Sequence, residues 1–470
     1  MPHPRSLRLW IAPALALPLA LAPGCSGTSP GPRNAVQFPA WEEEVEDFSA
    51  WLDPLPAPDP GPVRLERVTT AVPWPRGLAL VDGELVVLAR GRHRRAGGVD
   101  PAVADQAGTL FAVDPQISEP VEPGRAAGEA VKGNARPLAG PVQGPFHLFD
   151  PDAGPPADDV LMDRPYCTLR FDPVSQNLFI CGFSGVDLAQ AEFRKNATDS
   201  IHRFDLRTMR WYAVEMHDAS VVPLAALSST VSNEYYPHHD PRANPAPHGW
   251  LNGGDGALVA GRYLYAVAKD NHLLVQYDLD RIRADPDAGP PASRAVLGSA
   301  IDVRLCGEVR TIAAFGHSAL AEHDGYLYVG FRTSSIVLRF ALDETGDLAR
   351  PAVGELIAVF DPYRPGAKSA NLVDLAFDRS GALHASCATA GVVWRIGRPD
   401  PARVFNGMLA GEHASANRPY VSLAELCGTP KASTGNILFD EQDRLYVCSG
   451  NYDSGTDLAG VIYRAVPAER

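Results

Sequence analysis

Two groups of side chains in this sequence are of types that could do chemistry. The first is gathered in one proline-rich stretch, residues 235–250, where His238, His239, Asp240 and His248 could collect a metal ion through imidazole and carboxylate donors. Tyr235, Tyr236 and Trp250 frame the same stretch and could offer flat faces on which a sugar or a peptide stacks. The second group is scattered along the chain: Arg76, Asp255, His317, Asp374 and Asn436. Each stands one to three residues before Leu78, Ala257, Leu320, Leu375 or Ile437, the first apolar residues of short recurring strands. The plainer alternatives are a proline-stiffened, solvated loop for the first group and hydrogen-bonded interior polar residues for the second.

The elements that carry these residues form a repeat. In the clearest copy, residues 316–340, strands are expected over 318–322, 326–331 and 335–340, separated by the turns His323-Asp324-Gly325 and Arg332-Thr333-Ser334. Related units begin at Leu78, Leu169, Ala257, Leu375 and Ile437, and each leads to a further strand at 109–114, 201–205, 273–278, 392–396 or 461–464. Apolar and polar residues alternate with a period of two, as half-buried antiparallel strands require. One such sheet cannot bury both faces by itself, and radial stacking of neighbours buries them all. The expected fold is therefore all-β, a six-bladed β-propeller, or seven-bladed if residues 214–231 hold a degenerate unit.

Successive units step by 91, 88, 63, 55 and 62 residues, so the surplus belongs to loops. Two of these loops carry the same eight residues, at 150–157 and 285–292, whose proline and glycine content reads as exposed turns. The last unit ends at Arg464 without an outer strand, and residues 63–72 form a free strand at the other end of the chain. Pairing the two would close the ring and cover an aggregation-prone edge. Ligands of propellers meet the mouth of the central channel, where first strands begin. The second group is expected there, with the 235–250 loop overhanging it from the unit of Asp255.

The unit resembles the NHL-type blade and, through it, the gluconolactonase-like and amidating-lyase propellers, over nearly all of residues 63–464. What the resemblance implies is an axial divalent metal such as calcium, held by hard oxygen ligands from several first strands and able to polarise a lactone carbonyl. Asp255, Asp374 and Asn436 are the residues that would hold it, with His317 beside them. The amidating-lyase type needs several channel histidines for zinc, and His317 stands without a second.

A net charge of −14 and a pI near 5.4 exclude the clustered basic surface that nucleic-acid binding requires. The chain has no Gly-rich phosphate loop, no G-x-S-x-G elbow and no H-E-x-x-H motif. Residues 1–24 read as an export signal, with Arg5 and Arg8 ahead of an apolar run at 9–21. Cys25 follows in the manner of a lipobox and is the expected lipidation site. Residues 25–62 then form a tether with a short amphipathic helix at 41–52, and residues 63–470 form the propeller domain. Six further cysteines in an exported chain suggest disulfides. Their places in the repeat favour Cys167–Cys181, Cys427–Cys448 and Cys306–Cys387, against free structural thiols. The resulting expectation is a membrane-anchored lipoprotein of the cell envelope, at the outer membrane where there is one, that binds a protein, a glycan or a small molecule. The alternative is a metal-dependent hydrolase or lyase.

Overall fold

The computed structural model describes residues 63–72, 75–89, 109–121, 133–139, 166–182, 200–216, 254–268, 272–287, 291–305, 307–361, 371–407, 419–426, 433–449 and 460–467. The export signal, Cys25, the tether with its helix and the 235–250 loop lie outside the described residues.

Strand β1 (Val63–Thr69) precedes a first sheet of β2 (Pro75–Val81), β3 (Glu84–Ala89), β4 (Leu110–Val113) and β6 (Ala135–Ala139), while β5 (Glu119–Pro120) pairs with β1 instead. The second sheet is β7 (Tyr166–Asp172), β8 (Asn177–Gly182), β9 (Ser200–Asp205) and β10 (Arg210–Met216). The third is β11 (Gly254–Ala260), β12 (Tyr263–Ala268), β13 (Leu273–Asp278) and β14 (Ser293–Leu297), with the short helix α1 (Asp280–Ala284) in its last connection. The hairpin β15 (Ala300–Leu305) and β16 (Glu308–Ala313) extends the fourth sheet, whose main strands are β17 (His317–His323), β18 (Tyr326–Phe331), β19 (Ile336–Ala341) and β20 (Gly354–Val359). The fifth is β21 (Leu372–Phe377), β22 (Leu383–Cys387), β23 (Val392–Gly397) and β25 (Val421–Ser422), which leads into α2 (Leu423–Leu426), while β24 (Phe405–Asn406) joins β20. The last comprises β26 (Thr434–Phe439), β27 (Leu445–Ser449) and β28 (Val461–Pro467), completed by β1.

These six sheets of the described residues close on themselves. β2 packs on β7, β7 on β11, β11 on β17, β17 on β21, β21 on β26, and β26 returns to β2. Each pair of neighbouring sheets encloses its own apolar cluster. Val86 and Leu88 meet Leu169 and Leu178 between the first and second, and Tyr446 and Cys448 meet Leu78 and Val87 between the last and first. Both faces of every sheet are thereby buried, which is what the strand pattern demanded. The architecture is a β-propeller.

The reference unit matches its reading within a residue or two at each end. Its tight turn places Asp324 at φ 49° and Gly325 at φ 73°, the left-handed pair that a two-residue hairpin needs. The closure is also as expected: β1 runs antiparallel to β28, with Leu65 opposite Ala465. The aspartates that recur after Phe171, Phe377 and Phe439 prove to be turn builders. Asp378 Oδ1 accepts the Ser380 and Ala382 amides, and Asp440 Oδ1 the Gln442 and Arg444 amides, all at 2.9 Å. Val214, the start of the suspected degenerate unit, belongs to β10, the outer strand of the second sheet, and the remainder of that stretch from 217 is outside the described residues. The turn at 285–287 is more than an exposed connection. The Pro286 carbonyl accepts from Arg203, and Asp287 Oδ1 accepts the Tyr212 hydroxyl at 2.9 Å, so the third sheet brackets the second.

Candidate functional site

Every first strand loses register with its partner at the same level. The breaks fall between Pro75 and Gly77, Tyr166 and Thr168, Gly254 and Ala257, His317 and Ala319, Leu372 and Asp374, and Thr434 and Ile437. A bulge re-aims the side chains around it and is favoured next to functional sites. Arg76, Asp255 and Asn436 sit in the bulges, Asp374 directly after one and His317 directly before one. The fold therefore brings all five positions to one end of the inner ring. The Asp255 side chain lies outside the described residues, so that position is set by backbone alone.

The inner strands approach closely enough at this level to need glycine. A Cβ on Gly77 would lie 2.4 Å from Leu169 Cβ, and one on Gly256 would lie 2.3 Å from the Ser318 carbonyl oxygen. A Cβ on Gly435 would lie 2.9 Å from Arg76 Nη1, which places the buried Arg76 guanidinium against the β26 bulge.

Asp374 and Asn436 do meet. Asn436 Nδ2 donates to Asp374 Oδ2 at 3.1 Å, and the Ile437 amide donates to the same oxygen at 3.1 Å. Asp374 Oδ1 accepts the Leu375 amide at 3.0 Å and Arg170 Nη2 at 2.6 Å. Arg170 comes from β7, on the far side of the ring from β21, and its Nη1 donates to its own Leu169 carbonyl at 3.0 Å. One carboxylate thus ties three first strands together across the axis. The amide orientation of Asn436 is dictated by that carboxylate, since only the NH2 end can face it.

That orientation leaves Asn436 Oδ1 buried without a hydrogen-bond partner. Thr168 Oγ1, on β7, is in the same condition, as are Asn371 Oδ1 and Ser433 Oγ one residue before β21 and β26. Unsatisfied buried polar atoms are rare in folded proteins and call for an occupant or a role. At the same level, neither nitrogen of His317 makes a hydrogen bond of good geometry, and the ring packs edge-on against Phe331 at 4.6 Å. Burial, with a smaller contribution from His272, lowers its pKa to about 3. His317 is therefore a neutral interior residue and not a proton donor at neutral pH.

The depressed His317 pKa carries a stability consequence. His384, buried between Tyr420 and Phe439, is likewise lowered to about 4, chiefly by burial. Between the ordinary value of 6.5 and these folded values, the unfolded chain binds protons that the native protein does not, so stability falls as pH falls. The loss for His317 alone should be on the order of 5 kcal/mol when fully developed. His317→Gln should flatten the fall of the urea midpoint between neutral pH and about pH 4. An unchanged slope would show that His317 is not the group titrating.

The metal reading meets a specific obstacle. Among the described residues, no three His, Cys, Asp or Glu side chains gather closely enough to hold an ion. Asp374, the central member of the expected set, already has four donors on its two oxygens, one of them a guanidinium. Asp374 and Asn436 as arranged do not fit an axial ion alongside Arg170. The loop set of Tyr235, Tyr236, His238, His239, Asp240, His248 and Trp250 lies outside the described residues.

The disulfide expectation is corrected. Cys181, Cys387 and Cys448 are buried thiols, and Cys181 Sγ donates weakly to the Gly256 carbonyl at 3.8 Å. Cys167–Cys181, Cys306–Cys387 and Cys427–Cys448 are therefore not formed. The register supplies a reason for the first: Thr168 stands opposite Cys181, and the bulge leaves Cys167 with no opposite residue. Cys387 stands opposite Leu372, and Cys448 opposite Ile462. All three fill space between sheets, where burial pushes the Cys387 and Cys448 thiols well above their ordinary range. Cys306, Cys427 and the Cys167 side chain lie outside the described residues.

Arg170 and Thr168 were not singled out from sequence, although a signal for Arg170 exists. At its position in the repeat the other units have Ala79, Leu258, Ala321, Ala376 and Leu438, so an arginine between Leu169 and Phe171 is the exception.

No family model matches this chain, and no curated protein matches it either. Solved structures similar to it include a candidate gluconolactonase at 11% identity and TM-score 0.38, with 90% of this chain and 96% of that one covered. Another is an inactive virginiamycin B lyase from Staphylococcus aureus with quinupristin, at 10% identity and TM-score 0.38, covering 86% and 99%. A third is a PQQ-bound aldose sugar dehydrogenase from Streptomyces coelicolor, at 13% identity and TM-score 0.40, covering 87% and 99%. Likeness at this level carries no argument about chemistry, and the propeller assignment rests on the sheets themselves.

Proposed function

We propose that this protein is an exported, envelope-anchored propeller of six blades, one per sheet, that binds a small polar ligand at the bulged end of its axis. The observation that supports the reading is the coincidence of six bulges with buried polar atoms that have no partner, above all Asn436 Oδ1 and Thr168 Oγ1. A ligand supplying hydrogen-bond donors to these atoms would recover the cost of burying them, about 1–3 kcal/mol each. Ordered water is the competing occupant. The hydrolase or lyase reading uses the same mouth. It would draw its acid–base or metal-binding groups from Asp255 and the 235–250 loop, because His317 is held neutral and Asp374 is engaged by Arg170.

A thermal-shift screen of the mature chain against sugars, lactones, amino acids and small carboxylates tests the site. A ligand that raises Tm for the wild type should lose at least tenfold in affinity in Asn436→Leu, by removal of one buried hydrogen bond. Absence of any hit, or equal binding by Asn436→Leu, would leave water as the occupant. For the envelope anchor, Cys25→Ser should move the protein from the membrane fraction to the soluble one. Unchanged fractionation would exclude Cys25 as the anchor point.

A further inference from the structure

The outer strands of the described sheets are guarded against pairing with another chain, with one exception. β6, β10 and β14 each lose register with the strand they pair, and β6 carries Pro137 as well. β5 and β25 are two residues long. Bulges, prolines and shortness are the devices that keep an edge strand from acting as a template. β16 has none of them. It runs six residues, Glu308–Ala313, in unbroken register with β15, and stands last in its sheet. The Ala314 amide donates to the Ser299 carbonyl at 2.8 Å, so the hydrogen-bonded pairs of the hairpin are 299 with 314 and every second residue from there. The N–H and C=O groups of Glu308, Arg310 and Ile312 therefore face β15, and those of Val309, Thr311 and Ala313 face away from it. Val309 is also 54% exposed, and of the exposed large apolar side chains among the described residues it alone lies on a strand.

We infer that β16 is the interface of a two-fold dimer, in which it pairs antiparallel with β16 of a second copy of this chain. The charges of the strand select that partner and its register. Glu308 and Arg310 lie two residues apart on one face, 3.3 Å from each other, with side-chain exposures of 73% and 39%. An antiparallel two-fold through Val309 sets Glu308 opposite Arg310 of the second copy, and the reverse pair forms by symmetry. It also lays the two Val309 side chains together and lets each Val309 amide donate to the other's carbonyl, because both groups point to the free edge. Moving the axis to Arg310 would oppose two guanidiniums, and moving it to Thr311 would face each Arg310 with Ile312. Opposite charges stabilise a cross-strand pair and like charges destabilise it. The strand thus holds both halves of its own complement. Pairing of this kind extends the fourth sheet through both copies, with main-chain hydrogen bonds supplying affinity and the flanking side chains specificity. A single strand pair buries less than a standard interface, so the expected affinity is micromolar. The dimer stands apart from the axial ligand reading, and failure of the ligand screen leaves it untouched.

The test is sedimentation velocity of the mature chain carrying Cys25→Ser, in reducing buffer, from about 1 to about 300 μM. A monomer should give way to a dimer across that range. Val309→Pro removes an outward amide and leaves the ladder to β15 intact, so it should weaken association at least tenfold with little change in Tm. The charge exchanges keep the test open should the proline variant fail to fold. Glu308→Arg and Arg310→Glu should each weaken the dimer, and the two together should restore it, because the exchanged pair is again complementary. Hydrogen exchange should show the Val309, Thr311 and Ala313 amides protected at high concentration and released on dilution. A protein that stays monomeric to the top of the range would overturn the inference, as would a dimer that Val309→Pro leaves intact. Single exchanges that weaken the dimer without its return in the double variant would overturn the two-fold register. Protection of the three amides that persists in a monomer would mean that another stretch of this chain covers the edge, and would overturn it too.

Discussion

Gly256→Ala should cost about 3 kcal/mol of stability, a large fraction of what a domain possesses. The added methyl would sit 2.3 Å from the Ser318 carbonyl oxygen, which is backbone of the neighbouring first strand and cannot rotate away. Relief requires β11 and β17 to separate, and both are already pinned by neighbours on their other sides. The same displacement would disturb the bulge that carries Asp255. Gly298→Ala is the matched control, because a Cβ there meets nothing within 4 Å. Urea titration should show the Gly256 midpoint falling at an unchanged slope while the Gly298 midpoint barely moves. If both variants unfold alike, the close approach at the axis is not limiting.

Glu66→Ala should be comparably damaging, by about 3 kcal/mol, because it leaves a buried arginine without its counter-charge. Arg464 of β28 donates through Nε to Glu66 Oε2 at 2.9 Å, and its Nη2 contacts the same oxygen and the Ser118 hydroxyl. Its Nη1 donates to the Pro115 carbonyl at 2.6 Å. This cluster joins the N-terminal strand to the last sheet and therefore fastens the ring. Burial by itself would raise the Glu66 pKa, but hydrogen bonding and charge from Arg464, with help from Ser118 and Arg64, outweigh it and hold it below the ordinary range. The stabilisation is present above the unfolded carboxylate pKa and is lost as pH falls through the lowered folded value. Hydrogen exchange supplies the local readout. In Glu66→Ala the amides of β1 should exchange well ahead of those of β17–β19, where the same pairing is made within one continuous unit. Uniform exchange across the two regions would mean that ring closure does not depend on this pair.

Much of the architecture was legible because the repeat is local. A strand, a turn and a second strand occupy about a dozen residues, and period-two alternation with Asp-Gly or Asx turns identifies them without reference to the rest of the chain. The closure by residues 63–69 was legible for a related reason: a free strand at one end and a missing strand at the other have one economical solution. The places of Arg76, Asp255, His317, Asp374 and Asn436 followed from aligning the units, because equivalent positions in a repeat occupy equivalent positions in the ring. The cysteines failed the same reasoning. Alignment put Cys167 and Cys181 at the two ends of one hairpin, but a single bulge shifts the register by one residue and sets Thr168 opposite Cys181.

The amino-acid sequence alone determined the all-β class, the repeating unit, the direction of ring closure and the end of the axis at which polar residues collect. All of these depend on neighbours in sequence or on equivalence between units. Only the tertiary structure decided what those polar residues do. Asp374 reads as a metal ligand until Arg170, 204 positions away, is seen reaching it from the opposite wall, and His317 reads as a catalytic candidate until its burial is known. The physical reason is common to both: charge state and ligation depend on what surrounds a side chain in space, and in a closed ring the partner that matters most is contributed by the strand farthest across it.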